Sequence, residues 1–350
     1  MFSAVFSGTV YYPMIIARAP ARISFVGGGT DIASFYRRYP GRVISTAINK
    51  YSYVTINHPP LVKKVAARYA ISELVDHPRE LKNDRIREAL LHFGIDKKID
   101  IGSFSDVPVK AGLGSSSSFA VALIKGLSTH VKKRMNRYEV AKVAAQLEIE
   151  ALKEPIGKQD QYVAAIGGFN IFQFNADGSV DVTPIRIDFK KRLALEDHMI
   201  VFFAGITRFA SSVLNEQHSN ADKNFETLKK MSDSVFAFRD ALLEGNFKGL
   251  GDLLNEGWKL KKSLASSVSN KVMDDFYEKG ILNGAWGGKV LGAGGGGCVL
   301  FIVPPHKKNK VRKAAAEVAK QHGLTDFGEI PFSFVQSGVE VLFNNNADPI

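Results

Sequence analysis

The segment Pro108-Val109-Lys110-Ala111-Gly112-Leu113-Gly114-Ser115-Ser116-Ser117-Ser118 sets two glycines beside four consecutive hydroxyls. A largely apolar run, Phe119 to Val131, follows and reads as a helix. Glycine lets the backbone approach a ligand closely. The first N–H groups of a helix lack internal partners and sit at the positive end of its dipole, so an anion is the favoured guest. Serine hydroxyls add hydrogen bonds, or a ligand for a hard cation such as Mg²⁺. The whole stretch from Lys110 through Gly112, Leu113 and Gly114 to Ser115, Ser116, Ser117 and Ser118 therefore reads as a phosphate cradle. The bland alternative is a serine-rich turn that only caps a helix. No Lys-Ser/Thr pair follows the second glycine, which excludes a Walker A loop, and Ser117 stands where a dinucleotide fingerprint needs its third glycine.

Two further segments weigh against the bland alternative. In Ala19-Pro20-Ala21-Arg22-Ile23-Ser24-Phe25-Val26-Gly27-Gly28-Gly29-Thr30-Asp31 an apolar strand ends in three glycines and two polar side chains. Between Leu291 and Cys298 six small residues, Gly292 and Gly294 to Gly296 among them, separate two apolar strands. Backbone there can pack on backbone or on a ligand.

Together, in order and spacing, the three segments resemble the signature motifs of the GHMP sugar and metabolite kinases. The resemblance runs from about Ile15 to the C-terminus. Within the family, the Arg22–Asp31 segment and Pro155-Ile156-Gly157-Lys158-Gln159-Asp160-Gln161-Tyr162 are most similar to the heptose 7-phosphate kinases. Galactokinases carry Gly-Glu-His-Thr-Asp where this chain has Gly27-Gly28-Gly29-Thr30-Asp31. The resemblance implies an α+β protein with a ribosomal-S5-like N-domain and a ferredoxin-like C-domain. It implies ATP and Mg²⁺ as cofactors. The expected reaction is phosphorylation of the anomeric hydroxyl of D-glycero-D-manno-heptose 7-phosphate, a step towards nucleotide-activated heptose. A free-sugar kinase of the L-fucose type is one alternative, although fucokinases carry Trp where this chain has Gly29. A sugar-binding regulator that lost catalysis is the other.

Residue by residue, the resemblance makes Asp160 the acceptor of the sugar hydroxyl's proton and Arg22 the stabiliser of the transferring phosphoryl group. Alone, Asp160 would read as a turn or cap aspartate. Ser116 maps to a Mg²⁺ ligand, and a carboxylate on the next helix completes that site. Glu148 lies twelve residues before Asp160, the galactokinase-like spacing, and Glu150 lies ten before it. Two apart on a helix they point in different directions, so one alone can be the ligand. Glu148 is preferred. Gly28, Gly29, Thr30 and Asp31 form the sugar-binding end, where Asp31 can accept two hydroxyl hydrogen bonds. Arg208, ahead of Ser211 and Ser212 at a helix start, is the expected anchor for the acceptor's own phosphate, with Lys158 and Lys50 as runners-up.

Helices are expected over 116–132 and 138–152, the second capped by Asn136 and ending near Pro155. Strands are expected at 15–17, 43–47, 51–56, 100–104, 167–174, 198–204, 299–303 and 332–342. Helical patches cover 84–93, 211–243, 248–268, 270–279 and 309–322. A turn at 175–179 suggests domains 14–178 and 179–350, and Met14 makes 1–13 an expected extension.

The 350 residues, 45% of them hydrophobic, suffice for two domains sharing a cleft. The net charge of +11 fits anionic substrates. Its lysines and arginines form short scattered clusters without interleaved aromatics, so nucleic acid is not expected as a partner. No 18-residue apolar run predicts a membrane span. One cysteine, Cys298, excludes an intrachain disulfide and fits the cytoplasm. Cys298 reads as a small apolar strand residue. A homodimer is left open as the assembly.

Overall fold

The computed structural model describes residues 14–59, 61–207, 210–220 and 222–344. The expected extension 1–13 and Arg208 lie outside them, and of Ser211 and Ser212 only the backbone is described.

Runs rich in Val, Ile and aromatics build two sheets. The strands are β1 (Ile15–Val26), β2 (Gly41–Asn57), β3 (Val65–Arg68), β4 (Ser72–Val75), β5 (Ile99–Ser105), β6 (Phe169–Phe174) and β7 (Val180–Pro184). After them come β8 (Met199–Phe203), β9 (Gly287–Val290), β10 (Cys298–Ile302), β11 (Gly328–Glu329) and β12 (Glu340–Asn344). The first sheet runs β12-β1-β2-β5-β3-β4, with β6 on the first half of β2 and β7 on β6. The second runs β11-β8-β10-β9, all antiparallel. Numbered within itself that order is 4-1-3-2, the ferredoxin-like order expected above.

Helices α1 (Ala33–Tyr36), α2 (Asp84–His92), α3 (Ser115–His130), α4 (Arg137–Gln146) and α5 (Gln159–Ile166) accompany the first sheet. Helices α6 (Phe189–Asp197), α7 (Ala210–Ser219), α8 (Phe225–Glu244), α9 (Phe247–Lys262), α10 (Lys271–Leu282) and α11 (Lys308–Gln321) follow. Ala120 through Ile124 of α3 are fully buried, because β1, β2, α4 and α5 surround that helix. Gly126 allows the close packing, since a Cβ there would stand 2.8 Å from Ile56 Cδ1. Helix α4 starts on a capping box: the Asn136 side chain accepts from the Glu139 N–H at 3.0 Å, and Glu139 accepts from the Asn136 N–H at 2.7 Å. It ends in a π-helical turn, Leu147–Ala151, a local widening that often marks function. One core joins the two halves: the Phe25 ring of β1 lies 5.3 Å from Phe169 and 5.1 Å from Phe238 of α8.

Several expected elements differ. The runs 43–47 and 51–56 form one strand, β2, because polar Asn49 between them bonds Ser333 through its N–H at 2.9 Å and its Oδ1 at 2.7 Å. The expected strand 332–342 is no single strand. Phe334 makes an isolated bridge to Ile48, while the Val335 N–H bonds Ala47, the Val335 carbonyl accepts from Gly168, and the Val339 N–H bonds Ala165. Those single bonds, to β2, to the turn after α5 and to α5 itself, build no continuous ladder, and β12 starts only at Glu340. The helical stretch 211–243 is broken between α7 and α8. The 175–179 turn closes the β6–β7 hairpin, and the chain leaves the first sheet after Pro184. It returns there with β12.

Candidate active site

The three glycine-rich segments meet around one cavity of about 400 Å³. Gly114, at φ 75 and ψ 19, is the left-handed residue from which α3 departs, and Gly112 has φ +79. A Cβ on Gly112 would stand 2.7 Å from the Leu291 carbonyl oxygen, and one on Gly292 would stand 2.7 Å from the Gly112 Cα. The cradle and the third loop therefore touch backbone to backbone, which side chains would forbid.

Arg22 reaches this point from β1 with its side chain 4% exposed. Its Nε and Nη2 donate to the two oxygens of Asp160, each at 2.8 Å, and its Nη1 donates to the Gly112 carbonyl at 2.7 Å. Asp160 lies in the first turn of α5, two residues after its N-cap Lys158. Two helix N-termini, those of α3 and α5, thus converge on the cavity.

Glu148, fully buried in the π-helical turn, accepts from Ser117 Oγ at 2.8 Å, Gln161 Nε2 at 2.6 Å, Arg85 Nε at 3.1 Å and Ser116 Oγ at 3.3 Å. Glu150, two residues on, is exposed. Arg85 also pairs with Glu154. The long Ser116–Glu148 contact brings two hard oxygens together beside the cradle, a donor pair that fits Mg²⁺.

Asp31 is 3% exposed and accepts from the Gln159 backbone N–H at 3.0 Å and its Nε2 at 3.1 Å. Burial pushes its carboxyl above the usual range, against the pull of the Gln159 N–H and with added repulsion from Asp160. A Cβ on Gly157 would fall 1.9 Å from Asp31 Oδ2, so a side chain there would push the carboxylate from its place. Gly28 has an ordinary backbone and its nearest neighbour to an added Cβ is Ser24 Oγ at 3.9 Å, whereas Gly29 sits at φ +99. Both line the cavity.

Arg22, Gly28, Gly29, Asp31, Lys110, Gly112, Gly114, Ser115, Ser116, Ser117, Glu148, Asp160, Gly292, Gly294 and Gly296 all line the cavity. Four expected contacts lie away from it. Thr30 turns inward, its hydroxyl donating to the Gly27 carbonyl at 2.8 Å and accepting from the Arg42 N–H at 2.9 Å. Leu113 is core, its carbonyl taken by the Arg22 N–H at 2.9 Å. Ser118 donates to the Pro20 carbonyl at 2.7 Å, tying α3 to β1. Gly295 binds the Val268 carbonyl through its N–H at 2.7 Å. Arg208 is outside the described residues, and Lys158 donates to Gly178 at 2.7 Å instead of facing the cavity. Cys298 is buried in β10 and burial pushes its thiol up, as an apolar strand residue requires.

Sequence reasoning missed Arg85, Lys261 and Lys289, all on the cavity wall. Lys289 donates to the Ser24 and Phe25 carbonyls at 3.0 and 2.7 Å, and burial draws its pKa well below the usual lysine range. Lys261 donates to the Gly292 carbonyl; burial, and then the charge of Arg22, push it down to about 8, against Asp160 and Asp31. A signal existed for Lys261: it continues the buried stripe Leu250, Leu254, Trp258 of α9.

Residues 82–168 match the GHMP kinases N terminal domain, and residues 238–321 match the GHMP kinases C terminal domain. The D-glycero-alpha-D-manno-heptose 7-phosphate kinase of Campylobacter jejuni is 31% identical over 93% of this chain and 98% of its own length. The chain belongs to the GHMP kinase family. A mevalonate kinase of Thermococcus sibiricus is 30% identical over 69% of this chain and 70% of that protein. The crystal structure of a D-glycero-D-manno-heptose 1-phosphate kinase from Bacteroides thetaiotaomicron superposes with a TM-score of 0.77 at 25% identity, covering 94% of this chain and 99% of that one. In this GHMP kinase the first matched segment carries the cradle, Glu148 and Asp160, while the second carries Lys261, Lys289 and the third glycine loop. Among the described residues no helix is long and apolar enough to cross a membrane.

Proposed function

We propose that this chain transfers the γ-phosphoryl group of ATP to the anomeric hydroxyl of D-glycero-D-manno-heptose 7-phosphate, giving the 1,7-bisphosphate and ADP. The observation that carries the chemistry is the Arg22–Asp160 fork directly beneath the Gly112–Ser117 cradle. Likeness along nearly the whole chain to the Campylobacter heptose 7-phosphate kinase supports the acceptor.

The cradle N–H groups hold the triphosphate. Asp160 orients the acceptor hydroxyl and takes its proton as the oxygen attacks phosphorus. The bond from the γ-phosphorus to the β–γ bridging oxygen breaks, and ADP leaves. Arg22 fixes the Asp160 carboxylate in one orientation through two parallel bonds, a fit that lysine could not reproduce. Mg²⁺, which Ser116 and Glu148 would hold, supplies charge neutralisation on the phosphate oxygens when bound. Asp31 binds sugar hydroxyls, and the open space over Gly28 admits the long acceptor. Arg208 is the proposed anchor of the 7-phosphate. The product feeds nucleotide activation of heptose in the cytoplasm. A homodimer is the assembly to test by light scattering.

An ADP-coupled assay over sugars and sugar phosphates tests this reading. Turnover strongest with heptose 7-phosphate is the expected result. Equal turnover of heptose and heptose 7-phosphate would make the enzyme a free-sugar kinase, and no ADP with any acceptor would remove the kinase reading.

A further inference from the structure

Lys261 is 6% exposed, on a stripe of α9 where an apolar side chain is the ordinary occupant. An ammonium carries three donors, and the Gly292 carbonyl is its hydrogen-bond partner among the described residues. The charged groups facing it are already engaged. Arg22 of β1 is forked onto Asp160 of α5, and Asp31 accepts twice from Gln159. Lys289 of β9 donates to two carbonyls, and Lys262, next on α9, pairs with Asp274 at 3.3 Å. A buried ammonium without a carboxylate partner is costly, and an anion from outside the chain would offset that cost.

The position narrows which anion. Lys261 shares the cavity wall with Arg22, Asp160 and Gly292, and Gly292 packs on Gly112 of the cradle. A nucleotide held by that cradle would bring its terminal phosphate to this wall. We propose that Lys261 is a catalytic residue that hydrogen-bonds the phosphoryl group in transit, alongside Arg22. The idea rests on the kinase reading above. Lys261 keeps its protons throughout; it neutralises the phosphoryl oxygens while the bond to ADP breaks and the bond to the acceptor oxygen forms. With its pKa pulled down to about 8, the ammonium is charged at neutral pH and lost on the alkaline side.

The test compares the full-length parent with Lys261→Met and Lys261→Arg. Calorimetric titration with ADP and with the β,γ-imido analogue of ATP, without acceptor, should show Lys261→Met weakening the analogue about tenfold more than ADP, one charge-assisted contact's worth. Its kcat should fall by about 10²–10³. The parent's kcat/KM for ATP should decline above a pH of about 8. Lys261→Arg should recover part of the rate and lose that decline, since a guanidinium stays charged. Equal effects on ADP and analogue overturn the proposal, as does a kcat within a few-fold of the parent. So does a raised acceptor KM at unchanged kcat, which would assign Lys261 to the sugar phosphate. A parent that binds both nucleotides yet phosphorylates no sugar phosphate fails the acceptor reading alone, because the titrations need no acceptor.

Discussion

Arg22 and Asp160 stand 138 residues apart in the chain and are joined by two parallel hydrogen bonds of 2.8 Å. The remaining guanidinium nitrogen holds the Gly112 carbonyl at 2.7 Å. A Cβ on Gly114 would come within 3.1 Å of Arg22 Cγ and 3.4 Å of Asp160 Oδ2, so the cradle rests on this pair. One ion pair thereby couples β1, the cradle and the first turn of α5.

Asp160→Asn should lower kcat by about 10²–10⁴-fold while ADP affinity stays within a few-fold, because it removes a proton acceptor and keeps the shape. Arg22→Lys should also lose rate, since an ammonium cannot grip both oxygens. Steady-state kinetics beside nucleotide titration check both; an active Asp160→Asn variant refutes the role.

Glu148→Gln should raise the Mg²⁺ concentration needed for half-maximal rate, and Mn²⁺ binding followed by paramagnetic resonance should weaken with it. Glu150→Gln should change neither, and its stability should stay within about 0.5 kcal/mol, because Glu150 is an exposed side chain. The reverse pattern would move the metal ligand to Glu150.

Gly28 and Gly29 should separate by substitution. Gly29→Ala, at φ +99, should cost about 1 kcal/mol or more in urea unfolding. Gly28→Val should leave stability nearly unchanged and raise the acceptor KM, because its side chain would enter the open space of the cavity. An acceptor KM untouched by Gly28→Val would show that the sugar lies elsewhere.

Lys261 gives a stability signature opposite to its effect on rate. Its folded pKa of about 8 lies below that of an unfolded lysine, near 10.4, so between those values the unfolded chain binds more protons. Stability contributed by this group therefore rises with pH across that window, and its full cost is present below about 8. At about pH 7, Lys261→Met should raise the unfolding free energy, by up to about 3 kcal/mol, and the gain should vanish by about pH 10.5. Urea denaturation at several pH values checks it; a variant less stable than the parent at neutral pH contradicts it.

The amino-acid sequence by itself determined the cradle, the α4 cap and the apolar strands, because glycine at a helix start, Asn136 with Glu139, and runs of β-branched residues act within a few residues of chain. It also placed the three motifs in order, and with them the family. Only the tertiary structure separated Glu148 from Glu150, since the π-helical turn and the approach of Arg85 and Ser117 decide which carboxylate faces inward. It likewise turned Thr30 and Ser118 away from the cavity, where backbone carbonyls from other segments claim their hydroxyls. For Lys261 the helical spacing with Leu250, Leu254 and Trp258 signals burial in the sequence, but not what the residue faces. Its charge acquires meaning when α9 packs against the third glycine loop, and burial and neighbouring charge are properties of the packed chain rather than of any local stretch.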